Sequence, residues 1–192
     1  MKQRGFSLVE MLVVVAIILV MAAVAVPTLK AYSEEAHLLG AGRQFRGEFR
    51  LARSVAARSG VQTAIRFEQQ ADGMYFSVYM DGNYNGVLAA EILRGVDRRI
   101  SGPLRLDAGA PGVRVGINPG TPAIPPERGR LDPADPIRFG RSNMLSFSPL
   151  GTATPGTFYL AGANAQAAVR VTPGSARVRL MVCRGKSWGE RP

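Results

Sequence analysis

Across 192 residues there is one cysteine, Cys183, one histidine, His37, and one tryptophan, Trp188. A lone cysteine excludes an internal disulfide. Without a C-x-x-C or a Cys/His cluster, no structural zinc site can be assembled. One histidine on a helical stretch supports no Ser/His/Asp set, and no Gly-rich loop runs from a strand into a helix. The carboxylates are scattered without visible pairing. The sequence therefore reads as neither an enzyme nor a cofactor protein. Acidic residues are also scarce, at 14 against 24 Lys and Arg, which leaves a formal charge of +10. That balance suits an anionic partner such as nucleic acid or a lipid surface, and equally an Arg-rich solvated surface.

Charge is almost absent between Phe6 and Pro27, where Glu10 is the sole exception. A helix from Phe6 to Val26 would span roughly 30 Å, the thickness of a bilayer's hydrocarbon core. Lys2 and Arg4 precede the run, and the positive-inside rule holds that end in the cytoplasm, with everything after Lys30 on the other side. Three readings fit: a plain single-pass anchor, a secretory signal cut after the small residues Ala23 to Ala25, or a segment in which Glu10 has a purpose. A carboxylate in lipid costs on the order of 3 kcal/mol, so a partner for it is expected.

The stretch Gly5-Phe6-Ser7-Leu8-Val9-Glu10 resembles the type IV prepilin signal. That resemblance implies cleavage between Gly5 and Phe6 by a membrane prepilin peptidase and methylation of the new amino terminus. The cationic amine on Phe6 would then meet Glu10 of a neighbouring subunit, offsetting much of the desolvation of both charges. Pro27 matches a proline common in such helices, where it allows a bend or local melting.

Beyond Pro27, Leu38, Phe45, Phe49, Ala52 and Ala56 recur at spacings of three, four and seven, marking one apolar helical face, and Gly60 is a natural stop. From Val61 onward, short alternating runs read as antiparallel strands: QTAIRF, MYFSVYM, VRVGI, MLSFS, TFYLA, AAVRVT and ARVRLMV. Residues 118–136 hold too many prolines for strand or helix and read as a long irregular, mobile loop. The expected fold is α+β and pilin-like. Its parts are a leader at 1–5, a membrane-spanning assembly helix at 6–27, a second helical half at 28–60 and an antiparallel β head at 61–192. Phe147, Pro149 and Gly151, with Arg177 and Arg179 further on, resemble the carboxy-terminal half of GspH/FimT minor pilins and pseudopilins. Ala176 departs from that pattern, which usually has Gly there.

Two further motifs invite chemistry. Asp81, Asn83, Asn85 and Gly86 fit the first half of a calcium loop, but the twelfth position is Ile92 and the nearest acid is Glu91. A weak cation site is the sharper reading, and a Gly/Asn hairpin turn the favoured one. Arg177, Arg179, Arg184, Lys186 and Trp188 concentrate charge at the carboxy terminus. Arg177 and Arg179 would share a strand face and could straddle a phosphate backbone, with Trp188 stacked on a base. A solvated edge strand is the alternative. The resemblance implies a minor subunit of a type II secretion pseudopilus or a type IV pilus. It would sit in the inner membrane with its head periplasmic and have other pilins as partners; the alternative is a DNA-binding minor pilin for DNA uptake.

Overall fold

The computed structural model of the protein describes residues 7–106, 110–185 and 187–191. One helix dominates it. α1 (Leu8–Ser59) starts at Ser7, whose hydroxyl accepts from the Val9 N–H at 3.3 Å. It ends at Gly60, a left-handed residue (φ 71°) whose N–H reaches the Ala56 carbonyl. That conformation is unfavourable for a residue with a Cβ, so glycine sets the end of the helix. The expected halves 6–27 and 28–60 are thus one element. It stays helical through Pro27, so of the bend or local melting that a proline allows there, melting is absent. Proline has no N–H for the Ala23 carbonyl, while the Thr28 hydroxyl donates back to Val24 and Ala25 carbonyls.

The head follows as β1 (Thr63–Gln70), β2 (Gly73–Met80), α2 (Ala89–Arg94), β3 (Arg98–Arg105), β4 (Arg114–Val115), β5 (Ile137–Arg138), β6 (Met144–Phe147), β7 (Gly156–Ala161), β8 (Gln166–Val171), β9 (Val178–Arg184) and β10 (Ser187–Arg191). The strands make two antiparallel sheets. One has the order β3-β2-β1-β6; the other runs β10-β9-β8-β7-β4, with β5 also paired to β7. The architecture is the α+β, pilin-like one expected. β3, β5, β10 and α2 are additions to the sequence reading, and the strand expected from Ala176 begins only at Val178.

Both sheets close on the second half of α1. Leu38, Phe45, Phe49, Ala52 and Ala56 are buried there with Ala41 and Gly42, as the spacing predicts. Phe49 meets Phe67 of β1 at 6.2 Å and Phe158 of β7 at 6.1 Å, and Phe67 stacks on Phe158 at 5.6 Å. One aromatic cluster therefore joins helix and both sheets. Each such side chain contributes about 1.5–3 kcal/mol by leaving water.

The outer face of the larger sheet is covered too. Residues 118–136 are irregular, as expected, but packed rather than loose. Ile124 and Leu131 are buried against Ile117, Tyr159 and Ala168, and Pro122 bridges to Arg130. The prolines block regular structure, while the apolar residues between them still find a core.

Candidate functional site: the amino-terminal helix and the basic face

Leu8 to Val26 of α1 touch nothing in the head. Every residue of this stretch is exposed, including Leu8, Leu12, Ile18 and Val24. The helix is long and apolar enough to cross a membrane. Glu10 sits in its first turn, exposed among apolar neighbours, where the positive end of the helix dipole favours a carboxylate. Gly5 and Phe6, the cleavage and methylation residues of the sequence reading, lie outside the described residues, as does Lys186.

The connection at 81–97 is built inward. Asp81 Oδ1 accepts from the Asn83 and Tyr84 N–H groups at 3.0 and 2.8 Å, and Oδ2 from Gly86 N–H at 2.7 Å. Asn83 and Asn85 turn their amide nitrogens, not their oxygens, toward Glu91 at 3.3 and 3.0 Å. Asp97 accepts from Gly82 and Leu88 N–H groups. A calcium loop needs oxygens converging on one point; here they converge on N–H donors. Among the described residues no group of three His, Cys, Asp or Glu side chains is arranged to hold a metal. The segment is the long turn of the β2–β3 hairpin, closed by buried carboxylates, and α2 carries Glu91 into it.

At the carboxy terminus, Arg177 and Arg179 do share a face, but not a bare one. β10 folds back antiparallel on β9, and Glu190 takes both arginines: Arg177 Nη2 at 3.1 Å on Oε1, Arg179 Nη1 at 3.4 Å on Oε2. Arg184 pairs with Glu35 of α1. Trp188 is half-buried, donates its indole N–H to the Pro122 carbonyl at 2.9 Å and packs edge-on against Tyr159. It is not standing out for a base to stack on, which corrects that part of the sequence reading. Burial pushes the Tyr159 phenol above its ordinary value, against opposing contributions from Thr157 and Arg138. Alongside, on the flank of α1, Arg43, Arg46, Arg50 and Arg53 recur at helical spacing, and Arg46 donates to the Arg191 carbonyl at 3.2 Å. Partial burial, then Arg50 and Arg43, lower the Arg46 pKa, with Glu190 opposing.

Two families match. The prokaryotic N-terminal methylation motif matches residues 1–26, and the family described as Type II transport protein GspH matches residues 41–175. The chain belongs to the GspH family. No curated protein and no solved structure matches it. GspH proteins are pilin- or pseudopilin-like, structural rather than enzymatic, and act in secretion or pilus assembly; the family implies assembly with other pilins and processing by prepilin peptidase.

Membership places the remaining motif residues. In this GspH chain Phe147 is buried at the end of β6, and the turn after it closes through Gly151, whose φ is 86° and whose N–H reaches Ser148. Ala176, where the sequence pattern usually has Gly, is held at φ 44° and fully buried. The position demands a left-handed residue, which alanine meets at a cost of about 1–2 kcal/mol. Sequence reasoning missed Glu190, Glu127 and Asp97. Each meets its partners only once a turn, loop or edge strand folds back, so no local signal in the sequence pointed to them.

Proposed function

We propose that this GspH protein is a minor subunit of a type II secretion pseudopilus or type IV pilus. It is inserted singly through the inner membrane, with its amino terminus cytoplasmic and its head periplasmic. Prepilin peptidase cuts after Gly5, the new Phe6 amine is methylated, and Glu10 of one subunit pairs with that amine on its neighbour. The observation that carries this reading is the split of α1, whose apolar half is exposed on every side while its other half is sunk into the head. An apolar surface of that extent needs a second covering, and lipid followed by neighbouring helices supplies both. A single carboxylate within it supports a specific pairing, because an unpartnered one would oppose burial.

The DNA-holding alternative draws little support from the basic face, where Glu190 and Glu35 already engage three arginines and Trp188 is turned onto the loop. Mass spectrometry of the chain from its native membrane tests the proposal. A mature protein beginning at Phe6 supports it; one beginning at Val26 means ordinary secretion, and one retaining Met1 a simple anchor. Glu10→Ala should leave the protein cleaved and in the membrane but absent from sheared filaments or cross-linked assemblies.

A further inference from the structure

The outer face of the larger sheet carries a row of side chains set by register alone. Arg138 of β5 lies opposite Thr157 of β7, Thr157 opposite Arg170 of β8, and Arg170 opposite Arg179 of β9. Three arginines thus cross four adjacent strands in one line. Glu127, from the 118–136 loop, reaches in to bridge Arg170 at 3.1 Å and Arg138 at 3.7 Å. Asp135 pairs with Arg138 at 3.4 Å, and Glu190 with Arg177 and Arg179.

Next to this row is a cavity of about 320 Å³, walled by Glu127, Arg138, Thr157 and Arg170 with Pro155 and Pro173. By volume it would hold about ten waters, more than one inorganic ion needs and enough for an amino-acid-sized group. Among the described residues, three buried side-chain polar atoms have no hydrogen-bond partner, and two belong to this row: Arg170 Nη1 and Arg179 Nε. A guanidinium N–H out of water without an acceptor is unfavourable, and in native proteins such groups are rare enough to require an explanation.

We propose that the arginine row is an anion site whose ligand is a carboxylate presented by another molecule. Charge decides the class. Arg138 and Arg170, at the cavity, are matched by Glu127 and Asp135, whereas Arg177 and Arg179 share Glu190 alone, which leaves one positive charge at the Arg179 end of the row for a monoanion to neutralise. A phosphate dianion would overshoot beside Glu127. The planar fork of arginine also matches a carboxylate's two oxygens. Glu127 is the resident acceptor, carried on a loop, and competes with the incoming group. The site is independent of whether α1 assembles into a filament.

The experiment uses the full chain in detergent micelles with ¹⁵N-labelled arginine, following the side-chain Nε resonances during titration at constant ionic strength. The probes are acetate, the blocked peptide acetyl-Gly-Glu-Gly-amide, inorganic phosphate, and chloride as the comparator. Saturable shifts at Arg170 and Arg179 with acetate, at dissociation constants of about millimolar, and none with chloride, are expected. Peptide binding tenfold tighter than acetate would assign the carboxylate to a protein partner; equal binding would assign it to a free carboxylate. Glu127→Gln should tighten acetate about three- to tenfold by removing the competitor. Arg170→Gln should abolish saturation, and where that variant fails to fold, Glu127→Gln alone decides. Shifts that rise linearly, match those with chloride, favour phosphate, or stay unchanged or weaken in Glu127→Gln would overturn the proposal.

Discussion

The two halves of α1 share one backbone and differ in what surrounds them. Between Leu8 and Val26 the side chains, Glu10 apart, are apolar on every face, and all are exposed. Between Lys30 and Ser59 an apolar stripe of seven residues, Leu38 to Ala56, is buried on one face, while Tyr32 and Leu51 stay exposed off it. The second half is satisfied by the head because a single stripe is all a sheet can cover. The first half cannot be satisfied that way, since packing one side would leave the others in water. Periodicity thus distinguishes a helix made for its own domain from one made for lipid and other subunits, even within a continuous element.

The sharpest way to break the comparison is to truncate one apolar side chain in each half. Phe49→Ala should destabilise the head by about 3–5 kcal/mol, seen as a lowered urea midpoint. Val14→Ala should leave head unfolding within about 0.5 kcal/mol of the parent. Equal effects from both substitutions would sink the division.

The glycines sharpen it further. A Cβ added at Gly47 meets nothing within 4 Å, so Gly47→Ala should stabilise by about 1 kcal/mol through helix propensity. At Gly42 the same Cβ would lie 2.6 Å from Leu180 Cδ1, a fully buried side chain. Gly42→Ala should fall short of the Gly47→Ala gain by at least about 1 kcal/mol. Thermal melts of the two variants side by side give the difference.

The sheet covering the buried half contains Cys183, only 4% exposed, with its thiol pushed up by burial. The unfolded chain then deprotonates first. The contribution of this group to stability is therefore complete below the ordinary thiol value of 9.0 and is lost as pH rises toward the higher folded value. Native alkylation by iodoacetamide at pH 8 should be at least about tenfold slower than in urea. The smallest effect belongs to Ala176→Gly. Relief of about 1–2 kcal/mol of left-handed strain nearly cancels the loss of a buried methyl and the added chain entropy. The midpoint should move by less than about 1 kcal/mol.

How legible the molecule was follows the same logic. The buried stripe of α1 and strands β1, β2 and β6 to β9 carry apolar side chains at telling periods, so pattern alone found them. β3 and β10 are edge strands, built from residues such as Arg98, Arg99 and Pro103, or Gly189 and Glu190. They need bury little and pair on one side, so no apolar alternation announces them. The pairing of Arg177 with Arg179 was readable from alternation. Their shared partner was not, because Glu190 arrives only when the chain reverses after Arg184. In the Asp81 loop, Asp81 binds backbone N–H groups and Asn83 and Asn85 donate to Glu91, so the turn the sequence favoured uses the groups a cation would have needed.

The continuity of α1 has a mechanical consequence. At about 1.5 Å per residue, its 52 residues make a rod of about 78 Å, with Phe45 and Phe49 clamping the head to its far end. A push along the axis at Leu8 is delivered to the sheets as displacement rather than absorbed as bending. The weakest point under lateral load is at Pro27, where one backbone hydrogen bond is missing. That places the flexure beyond the apolar run, so the head can tilt while the anchored end keeps its alignment.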